Sequence, residues 1–105
     1  SKLIVVLGHT KCGAILGACD NIVLGNITAL LSKIKPAMEI EKETASGRDS
    51  NNKIFVDNVQ VNNIFLTVKK IRKQSEMLFT MEQTKEIKIV GGLYDLDTGI
   101  VTFYE

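Results

Sequence analysis

The sequence predicts a mixed α/β fold: a mainly parallel sheet flanked by helices, with an antiparallel hairpin at its C-terminal end. Three observations predict it. Leu3-Ile4-Val5-Val6-Leu7 is continuously apolar rather than alternating, the pattern of a parallel strand covered on both faces. A glycine-bounded polar turn follows it and leads straight into residues at helical spacing. Near the C-terminus, two apolar runs flank Asp95-Leu96-Asp97-Thr98-Gly99, which has the Asp and Gly chemistry of a short hairpin loop. At 105 residues, with 45% hydrophobic and 24% charged side chains, the chain has room for one domain, 1–105, and is not of disordered composition.

Each element follows in order. Leu3 to Leu7 is expected to be an interior strand, and Gly8-His9-Thr10-Lys11-Cys12-Gly13 the turn at its carboxyl end, where open α/β sheets place ligands. Ala14 to Ala18 begins a short helix. Asn26 is a candidate N-cap for a second helix of about three turns, with Ile27, Leu30, Leu31 and Ile34 at helical spacing and Pro36 as its stop. Residues 37 to 53 turn polar, which predicts a solvated helix and then a loop. From about Asn52 to Gln74, Val61, Ile64, Val68 and Ile71 recur at steps of three and four, beside Phe55, Val59 and Leu66, which predicts a long helix with a broad apolar stripe. Lys69, Lys70, Arg72 and Lys73 crowd its end, where cations oppose the negative pole of the helix dipole. Ser75 to Met81 reads as a short amphipathic helix with Met77, Leu78 and Phe79 available for packing. Ile87 to Tyr94 and Ile100 to Tyr104 are the remaining strands.

Composition excludes several classes of partner. A formal net charge of +1 supplies no field for nucleic acid or an anionic membrane. The longest apolar run is far short of the roughly 20 residues a membrane span needs. Cys12 and Cys19 are too few for a secreted disulfide framework, so a reducing, cytoplasmic setting is expected. The apolar strand begins by residue 3, without a leading segment to cover its flanks, and this abrupt start predicts a piece of something longer.

The chemistry concentrates at His9 and Cys12. The chain's single histidine precedes a cysteine by three residues in a tight turn, and imidazole nitrogen and thiolate sulfur are the two donors zinc prefers. Two ligands do not complete a tetrahedral site. Cys19 is seven residues from Cys12, about 10 Å along an intact helix, too far to join the same ion, and reads as a small buried residue. Asp20 beside it reads as a helix-terminal residue. Other uses of the turn fail on the letters. A Walker-type loop needs Gly-Lys-Ser/Thr, whereas Lys11 precedes Cys12 and Gly13, and Gly8, Gly13 and Gly17 do not match a dinucleotide fingerprint. A cysteine-dependent hydrolase using Cys12 stays open, although Ala18 stands where a phosphatase loop places arginine.

Val5-Val6-Leu7-Gly8-His9-Thr10-Lys11-Cys12-Gly13-Ala14 closely resembles the second metal-ligand motif of the β-class carbonic anhydrases, His-x-x-Cys-Gly. Asn58-Val59-Gln60-Val61-Asn62 resembles that family's long-helix signature, and Gly91-Gly92-Leu93-Tyr94-Asp95-Leu96-Asp97-Thr98-Gly99 its closing strand and hairpin. The three matches fall in order across nearly the whole chain. The resemblance implies a partial β-carbonic anhydrase fold, His9 and Cys12 as zinc ligands, and reversible hydration of carbon dioxide to bicarbonate by a homo-oligomer, a dimer or larger. The family's first motif, Cys-x-Asp-x-Arg, occurs nowhere in this sequence, so one thiolate and the catalytic Asp-Arg pair have no counterpart here. The expectation is therefore a C-terminal portion of the enzyme, inactive alone; a non-catalytic module used for assembly or regulation is the alternative.

Overall fold

The computed structural model of the chain describes residues 2–104. The elements run β1 (Lys2–His9), α1 (Gly13–Cys19), α2 (Ile27–Ser32), α3 (Lys35–Glu39), α4 (Lys53–Gln74), α5 (Glu76–Gln83), β2 (Ile87–Tyr94) and β3 (Val101–Tyr104). The sheet is mixed, with order β1-β2-β3. β1 runs parallel to β2 from the Lys2–Ile87 pair to the His9–Tyr94 pair, and β3 is antiparallel to β2 over Gly91 to Tyr94. The hairpin between them closes as its letters predict. Gly99 takes the left-handed φ of 74°, and Asp95 Oδ1 accepts from the Asp97 amide at 2.9 Å.

β1 departs from expectation. Among the described residues it is an edge strand, paired only with β2. Ile4 and Val6 are half-buried towards the helices, whereas Leu3 and Leu7 on the other face are 56% and 55% exposed. Phe103, whose register partner Gly92 also pairs with Leu7, adds an exposed ring to that open face. The continuous apolar run is thus consistent with two covered faces, of which only one is covered by these residues.

α4 is the spine. Asn52 caps it, accepting from the Phe55 amide at 3.2 Å, and its 22 residues span about 33 Å. Phe55 and Val59 enter one core with Ile15, Ala18, Cys19, Leu31, Ile34 and Ala37; Val68 enters a second with Ile87 and Ile89. Ser75 ends α4 and caps α5, accepting from the Leu78 amide. Leu78 and Met81 pack onto the second core, but Met77 and Phe79 turn to solvent. Arg72 is more than a dipole-matched cation. Its Nε and Nη2 grip Glu82 at 2.6 and 2.8 Å; Nη2 also donates to the Ile89 carbonyl, and Glu82 Oε2 accepts from the Ile89 amide. This fork holds β2 beyond the Gly91–Tyr104 pair, the last pair among the described residues.

The middle of the chain differs most from its pattern. α2 is shorter than three turns, and Asn26 is helical in backbone with no side-chain cap. Pro36 does not stop a helix but sits in the first turn of α3, where its missing N–H has no partner to lose. The polar stretch after it folds around a buried carboxylate. Glu41, 3% exposed, accepts from Asn58 Nδ2 at 2.9 Å, from Thr44 Oγ1 at 2.7 Å and from Arg48 Nη1 at 3.1 Å. Burial pushes its pKa up, but these donors prevail and hold it down at about 2. Arg48 also donates to the carbonyls of Met38, Glu41 and Thr44 and lies 4.6 Å over the Phe55 ring.

Candidate metal centre

The parallel pairing brings the carboxyl ends of β1 and β2 to one level, so His9 stands beside Tyr94 where the chain leaves the sheet. The peptide between His9 and Thr10 is held at both polar atoms. The Thr10 amide donates to the Tyr94 carbonyl at 3.0 Å, while Gln60 Nε2 of α4 donates to the His9 carbonyl. The turn is tied to the hairpin as well. Thr10 Oγ1 accepts from the Leu96 amide at 3.0 Å, and Lys11 Nζ reaches Asp97 at 2.6 Å. Lys11 adopts φ 56°, a left-handed conformation unusual for a lysine, and these ties hold it there.

Beyond that strained residue the chain reaches Cys12, the extended residue that opens α1, and Gly13, around which a Cβ would find open space. His9, Cys12, Ile15, Val56, Asp57 and Gln60 are among the residues that line one small cavity. The two sequence-predicted ligands therefore share a cavity. Cys19 does not join them: it is fully buried in the helical core, where burial first and then Asp20 push its thiol up to about 11. Asp20 ends α1 as expected and accepts from the Ser50 amide and hydroxyl, which lower its pKa.

The donor set suits zinc as far as it goes. His9 Nδ1 lies 2.9 Å from the Thr10 carbonyl, which can only accept; in the neutral ring Nδ1 carries the proton and Nε2 keeps its lone pair. No hydrogen bond among the described residues engages Nε2 or the Cys12 thiol, which is half-buried. A ligating histidine whose other nitrogen donates to a backbone carbonyl is the usual arrangement at zinc. No group of three or more His, Cys, Asp and Glu side chains gathers as a metal site among the described residues.

A sequence model of the carbonic anhydrase family matches residues 1–101. The chain belongs to the carbonic anhydrase family. Solved structures agree on the fold. The β-carbonic anhydrase CafA of the fungal pathogen Aspergillus fumigatus superposes with a TM-score of 0.80 at 25% identity, covering 99% of this chain and 49% of its own. The β-carbonic anhydrase CcaA superposes with a TM-score of 0.75 at 16% identity, over 99% of this chain and 51% of its own. This carbonic anhydrase chain thus spans about half the length of the structures it matches. A comparison with curated proteins returns no match.

What the letters did not reveal at this centre are its supports. Gln60, Thr10 and Asp97 act on the turn from α4, from within the turn and from the hairpin. All three stand within the motifs that carry the resemblance, but nothing in the letters assigns them this action.

Proposed function

We propose that these 105 residues carry part of the zinc site of a carbonic anhydrase domain, with His9 Nε2 and Cys12 Sγ as two of the metal's ligands. The observation behind this reading is that His9, whose Nε2 is left free by the hydrogen bond at Nδ1, and Cys12, whose thiol is unengaged among the described residues, line one cavity at the end of β1. Zinc bound there supplies a Lewis acid that lowers the pKa of bound water towards about 7, making water a nucleophile for carbon dioxide near neutral pH. The chain's own residues bind and orient. His9 and Cys12 would hold the ion, the Thr10 carbonyl fixes which imidazole nitrogen is available, and Gln60 and Tyr94 fix the peptide from which that ring projects.

The substrate pair is carbon dioxide and bicarbonate. Two donors hold zinc weakly, and the family's remaining thiolate and Asp-Arg pair belong to a motif these residues lack, so the chain alone has little activity. A second reading, a carbonic-anhydrase-like module used for assembly, draws on the open apolar face of Leu3, Leu7 and Phe103, which suits a homo-oligomer or another cover. No helix among the described residues is long and apolar enough to cross a membrane. With two cysteines unpaired, the cytoplasm is the proposed location.

The test is zinc content and carbon dioxide hydration, measured in parallel on this chain and on one extended upstream to the length of the structures it matches. Zinc retention and hydration by the extended chain alone support the reading. An extended chain that holds zinc after His9→Ala overturns the ligand assignment, and one that neither binds zinc nor hydrates carbon dioxide favours the assembly module.

A further inference from the structure

α4 meets the sheet at a notch made by two glycines. A Cβ on Gly8 of β1 would stand 2.8 Å from Ile64 Cδ1 and 3.0 Å from Gln60 Oε1, and one on Gly91 of β2 would stand 2.5 Å from Ile64 Cγ2. Such separations lie well inside carbon contact distance, so side chains at these two positions would lift the helix away. With glycine at both, Ile64 sinks to 2% exposure between the strands. One helical turn before it, Gln60 is brought onto the last residue of β1.

Gln60 is the polar member of the buried stripe Phe55, Val59, Gln60, Ile64 and Val68, and is 7% exposed. Burying a carboxamide is unfavourable unless it is hydrogen-bonded, and its Nε2 has one partner, the His9 carbonyl. The peptide group is planar, so holding the His9 carbonyl from α4 and the Thr10 amide from Tyr94 fixes the whole plane. That plane sets where the His9 ring and the turn to Cys12 begin.

We propose that Gln60 is a positioning residue for the His9–Cys12 turn: its carboxamide, seated by Ile64 in the Gly8–Gly91 notch, fixes the peptide that aims the His9 imidazole. Its functional meaning rests on the zinc reading above, while its structural action does not. The decisive variant is Gln60→Met, which keeps length and loses the donor, with Gln60→Asn, one methylene too short, as a second. Val59→Ala, a neighbouring truncation in the helical core, controls for general loss of stability.

The first readout uses the metal-free chain. Amide hydrogen exchange at Thr10 should quicken at least tenfold in Gln60→Met relative to amides in the middle of α4, whereas Val59→Ala should loosen both alike. The second uses cobalt(II) as the probe, followed through its thiolate absorption. Gln60→Met should weaken cobalt binding by about 10- to 100-fold, the usual effect of losing a partner behind a metal ligand. Thr10 exchange within twofold of the parent chain in both Gln60 variants, or a Val59→Ala effect of the same pattern, overturns the proposal. Cobalt binding that ignores Cys12→Ser overturns the zinc reading instead, and Thr10 exchange then still decides the role of Gln60.

Discussion

Two irregular segments of this chain are pinned by side chains, and they are pinned to opposite ends. Around Glu41, donors and acceptors are consumed internally: the carboxylate takes Asn58, Thr44 and Arg48, and Arg48 takes three carbonyls. Around His9 and Cys12 the backbone is tied from β2, α4 and the hairpin loop, yet the imidazole Nε2 and the thiol are left unengaged among the described residues. A saturated network holds a shape. A rigid frame around unspent donors is built to hold something else, and this difference separates a structural knot from a candidate site more surely than burial or charge.

The largest effect expected tests the unspent donors. In a chain of the matched structures' length, His9→Ala or Cys12→Ser should lower zinc affinity by at least about 100-fold with thermal unfolding of the metal-free form nearly unchanged; metal analysis after dialysis reads the first and calorimetry in the presence of a chelator the second. Unaltered zinc in either variant would erase the contrast. Next comes the saturated network. Arg48→Met leaves Glu41 buried with fewer donors and should cost about 3 kcal/mol in urea unfolding, without changing metal affinity.

Acid sharpens the same comparison. The pKa of folded Glu41, about 2, lies below its ordinary 4.5, so its stabilising contribution is complete above about pH 4.5 and fades as pH falls towards 2. The stability gap between the parent chain and Glu41→Gln should therefore close over that window, as read by urea midpoints at successive pH values. Glu82 and Asp20, lowered by Arg72 and Ser50, keep some acid sensitivity in the variant. A gap that stays constant with pH would remove Glu41 from the account. The smallest effect belongs to Asp97→Asn. Lys11 and Asp97 are both about two thirds exposed, and although the hydrogen bond and charge of Asp97 raise the Lys11 pKa, water screens the pair, so the urea midpoint should barely move.

What could be read in advance was what repeats locally. α4, α5, β2 and the hairpin follow from apolar period and from the Asp and Gly chemistry that ends in Gly99, each set by neighbours within a few positions, whereas the one cap read from the letters, Asn26, makes no side-chain cap. His9 and Cys12 stood out as candidates for the same reason, since one turn holds both. The place of Pro36 was not, because a proline that ends one helix and one that starts another leave the same local signal. Glu41 was read as solvated, because its burial depends on Asn58 and Arg48 arriving from elsewhere in the fold. The notch of Gly8, Gly91 and Ile64 joins three distant stretches, and no window along the chain contains it. The apolar run of β1 was read as a strand covered on both faces, and the described residues cover one of them, since pattern reports what a strand can bury and not what lies beside it.

The fork of Arg72 and Glu82 on Ile89 has a consequence for how the hairpin forms. Among the described residues the ladder between β3 and β2 runs to the Gly91–Tyr104 pair, and Ile89 offers the next amide and carbonyl on that side. Both are already taken. A β3 strand sliding two residues along β2 would keep its side chains on the correct faces, so hydrophobic pattern alone cannot reject that error. The fork can, because the slipped strand would find its hydrogen-bonding partners occupied by side chains of α4 and α5. The occupied groups disfavour that slip, and the observed alignment is the one that places Asp97 and Leu96 within reach of the turn that carries His9.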